Sequence, residues 1–245
     1  GLVFYAFYRR KHLLTAAAAV STIAWVLADN CPAVFDPSVR PLEPVLRSNF
    51  WLVTHVMTIT LSYAAFALAL GVANVTLGYM FVRSTNRTAI SATSQFTYKA
   101  IQVGVLLLAA GIILGGVWAD YSWGRFWGWD PKEVWALVAL LGYLALLHAR
   151  YAGWVGQRGL AACTVGCFAL VVVAWYGVNF VLGVGLHSYG FGAGGVGYVA
   201  TAIAAQMAFV GTALLRGRAL PSDREAPPVK PIAATLPTTR FGASR

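Results

Sequence analysis

An all-α polytopic bundle of membrane-spanning helices is the fold class that this 245-residue sequence predicts, and three observations carry it. Hydrophobic residues make up 59% of the chain and charged ones only 11%, where a soluble domain carries roughly 25% charged residues. Six runs are apolar for about 18 residues or more, long enough to cross a ~30 Å hydrocarbon core as helices. Basic residues, finally, are concentrated in every second loop.

The six runs cover about 13–29, 55–82, 100–118, 134–150, 160–183 and 198–215. Ahead of them, Gly1 to Tyr8 reads as the end of a truncated seventh span, and further N-terminal sequence is expected before it. Arg9, Arg10, Lys11 and His12 form a basic flank to the first complete span. The connection at 83–98, RSTNRTAISATSQFTY, is polar and rich in Ser and Thr, and reads as a linker. Residues 1–218 form one membrane domain, while 219–245, rich in Pro, Ala and charge, lack the apolar content to fold and read as a disordered tail. Internal repeats of the kind that build many transporters are not evident.

Charge orients the bundle. Loops 1–12, 83–99, 150–159 and 216–245 hold fourteen Lys and Arg against Asp223 and Glu225; the opposite set holds four against six acids. Basic loops stay in the cytoplasm, so 29–54, 119–133 and 184–197 face outward and the tail is cytoplasmic. A bacterial inner membrane is the expected location, with a thylakoid as the alternative. The net charge of +10 is a topology signal, and a nucleic-acid partner is excluded because no soluble basic face exists to bind one.

The outward stretch Trp118–Trp135, WADYSWGRFWGWDPKEVW, gathers five of the nine tryptophans. An interfacial belt scatters aromatics over all helix ends, so this density points to a ligand. Gly124 and Gly128 allow tight turns or close approach. Asp130, Pro131 and Glu133 spell a helix start, with Asp130 as N-cap, proline first and Glu133 closing a capping box. Indole faces suit a flat aromatic ligand, and Arg125 or Lys132 could meet its carboxylates. A porphyrin, a quinone and a lipid headgroup all remain open on this pattern.

Histidines narrow the choice. His55 and His187 are the two that the topology places outside, at matched depth beside the tryptophans, as a six-coordinate haem iron requires of two axial donors. His148 lies deep in the fourth span near its cytoplasmic end, where an ionisable residue is a functional candidate and interfacial snorkelling beside Arg150 is the plain alternative. Cys163 and Cys167, four apart on a span, read as small packing residues, and Cys31 has no visible mate. No C-x-x-C-H is present for covalent haem attachment. Nothing here resembles a hydrolase triad or a phosphate loop.

At WGRFWGWDPKEVW, with LVTHVMTITLSYAAFAL upstream and GVNFVLGVGLHSYG downstream, residues 46–190 resemble the CcsA/ResC family of cytochrome c biogenesis proteins, haem handlers with a tryptophan-rich "WWD" domain. The resemblance implies a haem platform at Trp118, Trp123, Gly124, Trp127, Trp129, Asp130 and Glu133. It implies that His55 and His187 are external axial ligands of haem b and that His148 is a transmembrane haem ligand. A ResB/CcsB-type membrane subunit and an apocytochrome c bearing C-x-x-C-H are the implied partners. The function expected is that of a haem-handling subunit of a cytochrome c synthase. A CcmC-type haem export subunit and a b-type haem or quinone electron-transfer protein are the alternatives.

Overall fold

The computed structural model describes residues 11–30, 50–82, 86–187 and 194–217. The chain is an all-α polytopic membrane protein, with no strand among the described residues. In order, its helices are α1 (Lys11–Asn30), α2 (Phe50–Phe81), α3 (Arg87–Trp123), α4 (Pro131–Tyr151), α5 (Gln157–Val172, continued by a π-helix over Val173–Leu182) and α6 (Val196–Gly217). Among the described residues, α2 to α6 are long and apolar enough to cross a bilayer. The first expected span, 13–29, is helical within the 20-residue α1, which is not one of these five. The apolar stub at 1–8, Cys31 and the tail at 219–245 lie outside the described residues.

Helices α2 and α3 form the axis of the bundle, and small residues let them approach. A Cβ added at Gly104 would fall 2.5 Å from the Phe66 ring, and one at Gly111 would fall 2.6 Å from the Ile59 side chain. The shared seam is tied by Ser62, whose hydroxyl donates to the Gly104 carbonyl at 3.0 Å. Phe66 then stacks on Tyr143 of α4, with ring centroids 3.8 Å apart and planes within 5°. Around that pair a core of Ala69, Ile101, Leu108, Ala139, Leu146 and Leu160 is buried. Leu77, Val165 and Ala213 belong to a second cluster that ties α2, α5 and α6. Outward-pointing Leu106, Ile113, Leu141 and Leu215 are exposed, as lipid-facing side chains of a membrane bundle are.

Two expectations are corrected. The polar connection at 83–98 is helix from Arg87 onward and extends α3 to 37 residues. Asn86 caps it, accepting from the Ala89 amide at 2.9 Å. Ile90, Ser94, Thr97 and Ile101 are buried in succession at helical spacing, so a Ser/Thr-rich composition concealed a packing face. The hydroxyl of Thr76 donates to that of Thr93 at 2.8 Å and fastens the extension to α2. Of the two cysteines read as packing residues, Cys167 packs against the core, but Cys163 is exposed.

The start of α2, the end of α3, the start of α4 and the end of α5 meet at one end of the bundle, here called the tryptophan end. The opposite end carries the α4–α5 turn, where Tyr151 and Trp154 are exposed as interfacial aromatics.

Gly104→Leu should force α2 and α3 apart at Phe66. The expected cost is roughly 1–3 kcal/mol of overpacking, or outright loss of folded protein; thermal unfolding in detergent, scored by aggregation, measures it. An unchanged midpoint would mean the two helices have slack at that level.

Candidate functional site

Helix α3 carries the site on one face. Gly111, Gly115 and Trp118 stand at i, i+4 and i+7, which lie in line along a helix. His55, one turn into α2, lies against the first two: its Nδ1 is 2.7 Å from the Gly111 carbonyl oxygen. A Cβ at Gly115 would come within 2.6 Å of the imidazole, so the ring occupies the space a side chain there would take. His187 lies against the third: its ring centroid is 6.1 Å from that of Trp118 and 4.9 Å from Trp123, edge-on to the latter at 87°.

Beyond Trp123 the helix stops, because Gly124 turns into the left-handed region (φ 69°) and its amide donates back to Asp120 at 2.9 Å. Of the outward stretch 118–135, only residues 124–130 are loop; Trp118 and Trp123 belong to α3 and Trp135 to α4. The expected capping box is present. Asp130 accepts from the Lys132 amide at 2.9 Å, and Glu133 accepts from the Asp130 amide at 3.1 Å.

Glu133 does more than cap. The same carboxylate oxygen accepts from the Gly128 amide at 2.8 Å, and the other takes the Arg125 guanidinium at 3.2 Å. Gly128 and Asp130 are thereby drawn to one atom, which pinches Trp129 between them at φ 57°. That conformation costs an L-residue about 1–2 kcal/mol, and a non-glycine residue holds it only where its surroundings enforce it. The outcome is an indole 71% exposed, with Trp127 edge-on to it at 5.9 Å. So the tryptophans divide: Trp118 and Trp123 wall His187, while Trp129 faces out with the half-buried Trp127 beside it. The indole nitrogen of Trp118 is buried without a hydrogen-bond partner.

Asp130 joins the second half of the site. Besides its cap, this buried carboxylate accepts from the Leu186 amide at 2.6 Å and from His187 Nδ1 at 3.0 Å. A side chain at Gly185 would collide with it, and the chain passes there at φ 98°, open to glycine. Upstream, α5 widens into a π-helix that ends where the Gly183 amide bonds the Val178 carbonyl at 3.0 Å. Lys132 reaches across from α4 to its Asn179 side chain at 3.2 Å and its Trp175 carbonyl at 3.4 Å. Both cations expected to meet a ligand's carboxylates therefore already hold partners, Arg125 with Glu133 and Lys132 with the π-helix.

The tautomers follow from the partners. A carbonyl and a carboxylate can only accept, so both Nδ1 atoms carry the proton and both Nε2 atoms keep a free lone pair, the arrangement of a metal-ligating histidine. Burial pushes the His187 pKa below its ordinary value, with Asp130 pulling the other way. Among the described residues no three His, Cys, Asp or Glu side chains gather to hold a bare metal ion. Two imidazoles suit an iron that brings four ligands of its own.

His148 stands apart, near the other end of α4, eighteen residues or roughly 27 Å along the helix axis from Asp130. It is exposed, and its Nδ1 bonds the Leu144 carbonyl at 2.7 Å, so its Nε2 is free as well. The side chain of His12 lies outside the described residues. Three features escaped the sequence reading: the Asp130–His187 bond, the Lys132–Asn179 tie and the place of Gly111 and Gly115. The last had a signal, since GIILG is a G-x-x-x-G spacing that marks close helix approach.

Comparison with known proteins places these residues in a wider set. The family described as "Cytochrome C assembly protein" matches residues 2–187, a range that contains every site residue above. A cytochrome c biogenesis protein CcsA of Synechococcus sp. (strain CC9902) is 39% identical over 184 residues, covering 63% of this chain and 60% of that one. One from Guillardia theta is 35% identical over 220 residues, covering 78% and 72%. The chain spans about three-fifths of the length of the first of these.

Glu133→Gln should loosen the loop by removing the charged acceptor of three bonds. Bonds to a charged group contribute roughly 1.5–3 kcal/mol each, so trypsin cleavage after Arg125 should accelerate about tenfold or more. Unchanged cleavage would show that the loop is held by other contacts.

Proposed function

The chain belongs to the cytochrome c assembly protein family, and on that premise we propose that it is the haem-handling subunit of a membrane cytochrome c synthase. Haem b is its cargo, held between Nε2 of His55 and Nε2 of His187 at the tryptophan end, with that end on the outer face of the membrane. The observation that carries this reading is the pair of imidazoles on one face of α3, each with its Nδ1–H engaged and its Nε2 free. Exposed Trp129 and half-buried Trp127, edge-on to it, offer indole surface to the rim of a macrocycle.

Each part of the site has a task in that reading. His55 and His187 close both axial positions and keep oxidants from the iron. Glu133 fixes the loop, so the two outer indoles need no ordering when cargo arrives. An apocytochrome c presents C-x-x-C-H; its two thiols add across the haem vinyl groups, each sulfur bonding one vinyl carbon while its proton goes to the other, with no net oxidation. This chain contributes orientation, and the reactivity belongs to haem and thiols. His148, exposed with a free Nε2, suits a second ligand supplied by a ResB/CcsB-type subunit, on a route that brings haem from the cytoplasmic side.

An absorption spectrum of the detergent-purified chain, co-expressed with its partner subunit, tests the proposal. Low-spin bis-histidine bands are expected in the wild type; in His55→Ala and in His187→Ala those bands should be lost, leaving high-spin haem at reduced occupancy. His148→Ala should lower the haem delivered to the site without changing its spectrum. A folded wild type without haem would overturn the reading and return the tryptophans to a lipid or quinone surface.

A further inference from the structure

The two imidazoles on α3 are held by unlike partners. His55 donates to a neutral backbone carbonyl, Gly111, at 2.7 Å. His187 donates to the carboxylate of Asp130 at 3.0 Å, and that carboxylate is buried and fixed by the amides of Lys132 and Leu186. A hydrogen bond to an ionised acceptor is roughly twice as strong as one to a neutral acceptor. It draws the Nδ1 proton away and makes Nε2 the better donor to a metal. Their surroundings differ as well: His187 stands in a corner of Trp118 and Trp123, while His55 packs against the α3 backbone at Gly111 and Gly115.

Resting on the haem reading above, we infer that Asp130 is a positioning residue that makes His187 the retained axial ligand and leaves His55 as the exchangeable one. The acceptor cytochrome's histidine then enters on the His55 side. In that exchange the bond from His55 Nε2 to iron breaks and a bond from the incoming imidazole forms; the iron keeps its oxidation state, and His55 leaves as the neutral imidazole it already was. Gly111 keeps the departing ring in the same tautomer, ready to rebind when the next cargo arrives.

Carbon monoxide provides the test. The whole chain, co-expressed with its partner subunit and purified with its haem, is reduced with dithionite and exposed to the gas, which takes one axial position. Resonance Raman frequencies of the Fe–CO and C–O stretches report the donor strength of the histidine left opposite. The wild-type adduct should match that of His55→Ala and differ from that of His187→Ala. Asp130→Asn keeps an oxygen for the Lys132 cap but loses the charge, and should shift the adduct toward the weaker-donor values of His187→Ala. It should also weaken haem retention by roughly 10–100-fold, the usual cost of losing such an outer partner. A wild-type adduct that matches His187→Ala, or an even mixture of the two, overturns the inference, and this comparison stands whether or not the Asp130 variant folds. Frequencies unmoved in a folded Asp130→Asn overturn the part assigned to the carboxylate. A wild type without low-spin haem overturns the functional reading itself, whereas low-spin haem that keeps the wrong histidine overturns only the asymmetry.

Discussion

Much of the tryptophan end depends on where one buried carboxylate finds its donors. Asp130 sits at the first turn of α4, where the exposed amides and the helix dipole favour an anion. A charge withdrawn from water costs several kcal/mol unless it is fully bonded, and Asp130 meets that demand with two amides and an imidazole. Two of those donors come from the chain that leaves α5. The cap of one helix is thus also the anchor of another, and His187 stands where it does because the carboxylate would otherwise lack donors.

A second constraint is steric. The glycines of α3 remove the side chains that would hold α2 at ordinary helix separation, and the space at Gly115 is filled by the His55 ring. The carbonyl that fixes the His55 tautomer belongs to Gly111, one turn earlier. Close approach and tautomer therefore have one origin in the G-x-x-x-G spacing. The two histidines reach α3 by independent means, packing for His55 and a buried ion for His187, and this difference in support makes them chemically unlike.

Strain is localised where the surface faces outward. Trp129 keeps an unfavourable backbone angle because Glu133 binds the amides on both sides of it. The same carboxylate closes the capping box and meets Arg125, so a helix start that would form for local reasons also holds the loop before it. Loop order is a by-product of helix capping here. The exposed indole of Trp129 and its neighbour Trp127 gain rigidity without a buried core of their own.

The sequence by itself determined the membrane bundle and the helix start at Asp130, Pro131 and Glu133, because these rest on local quantities: apolar run length and caps within four residues. It also singled out His55, His187 and the tryptophans as candidates by their shared depth. It misjudged 87–98, where Ser and Thr can face a neighbouring helix as readily as water. Only the tertiary structure decided the π-helix at Val173–Leu182, the separation of Trp118 and Trp123 from Trp127 and Trp129, and the bond from His187 to a carboxylate 57 residues away. Such contacts are set by how far helices slide and rotate against one another, and that depends on the packing of all of them at once, which no local pattern encodes.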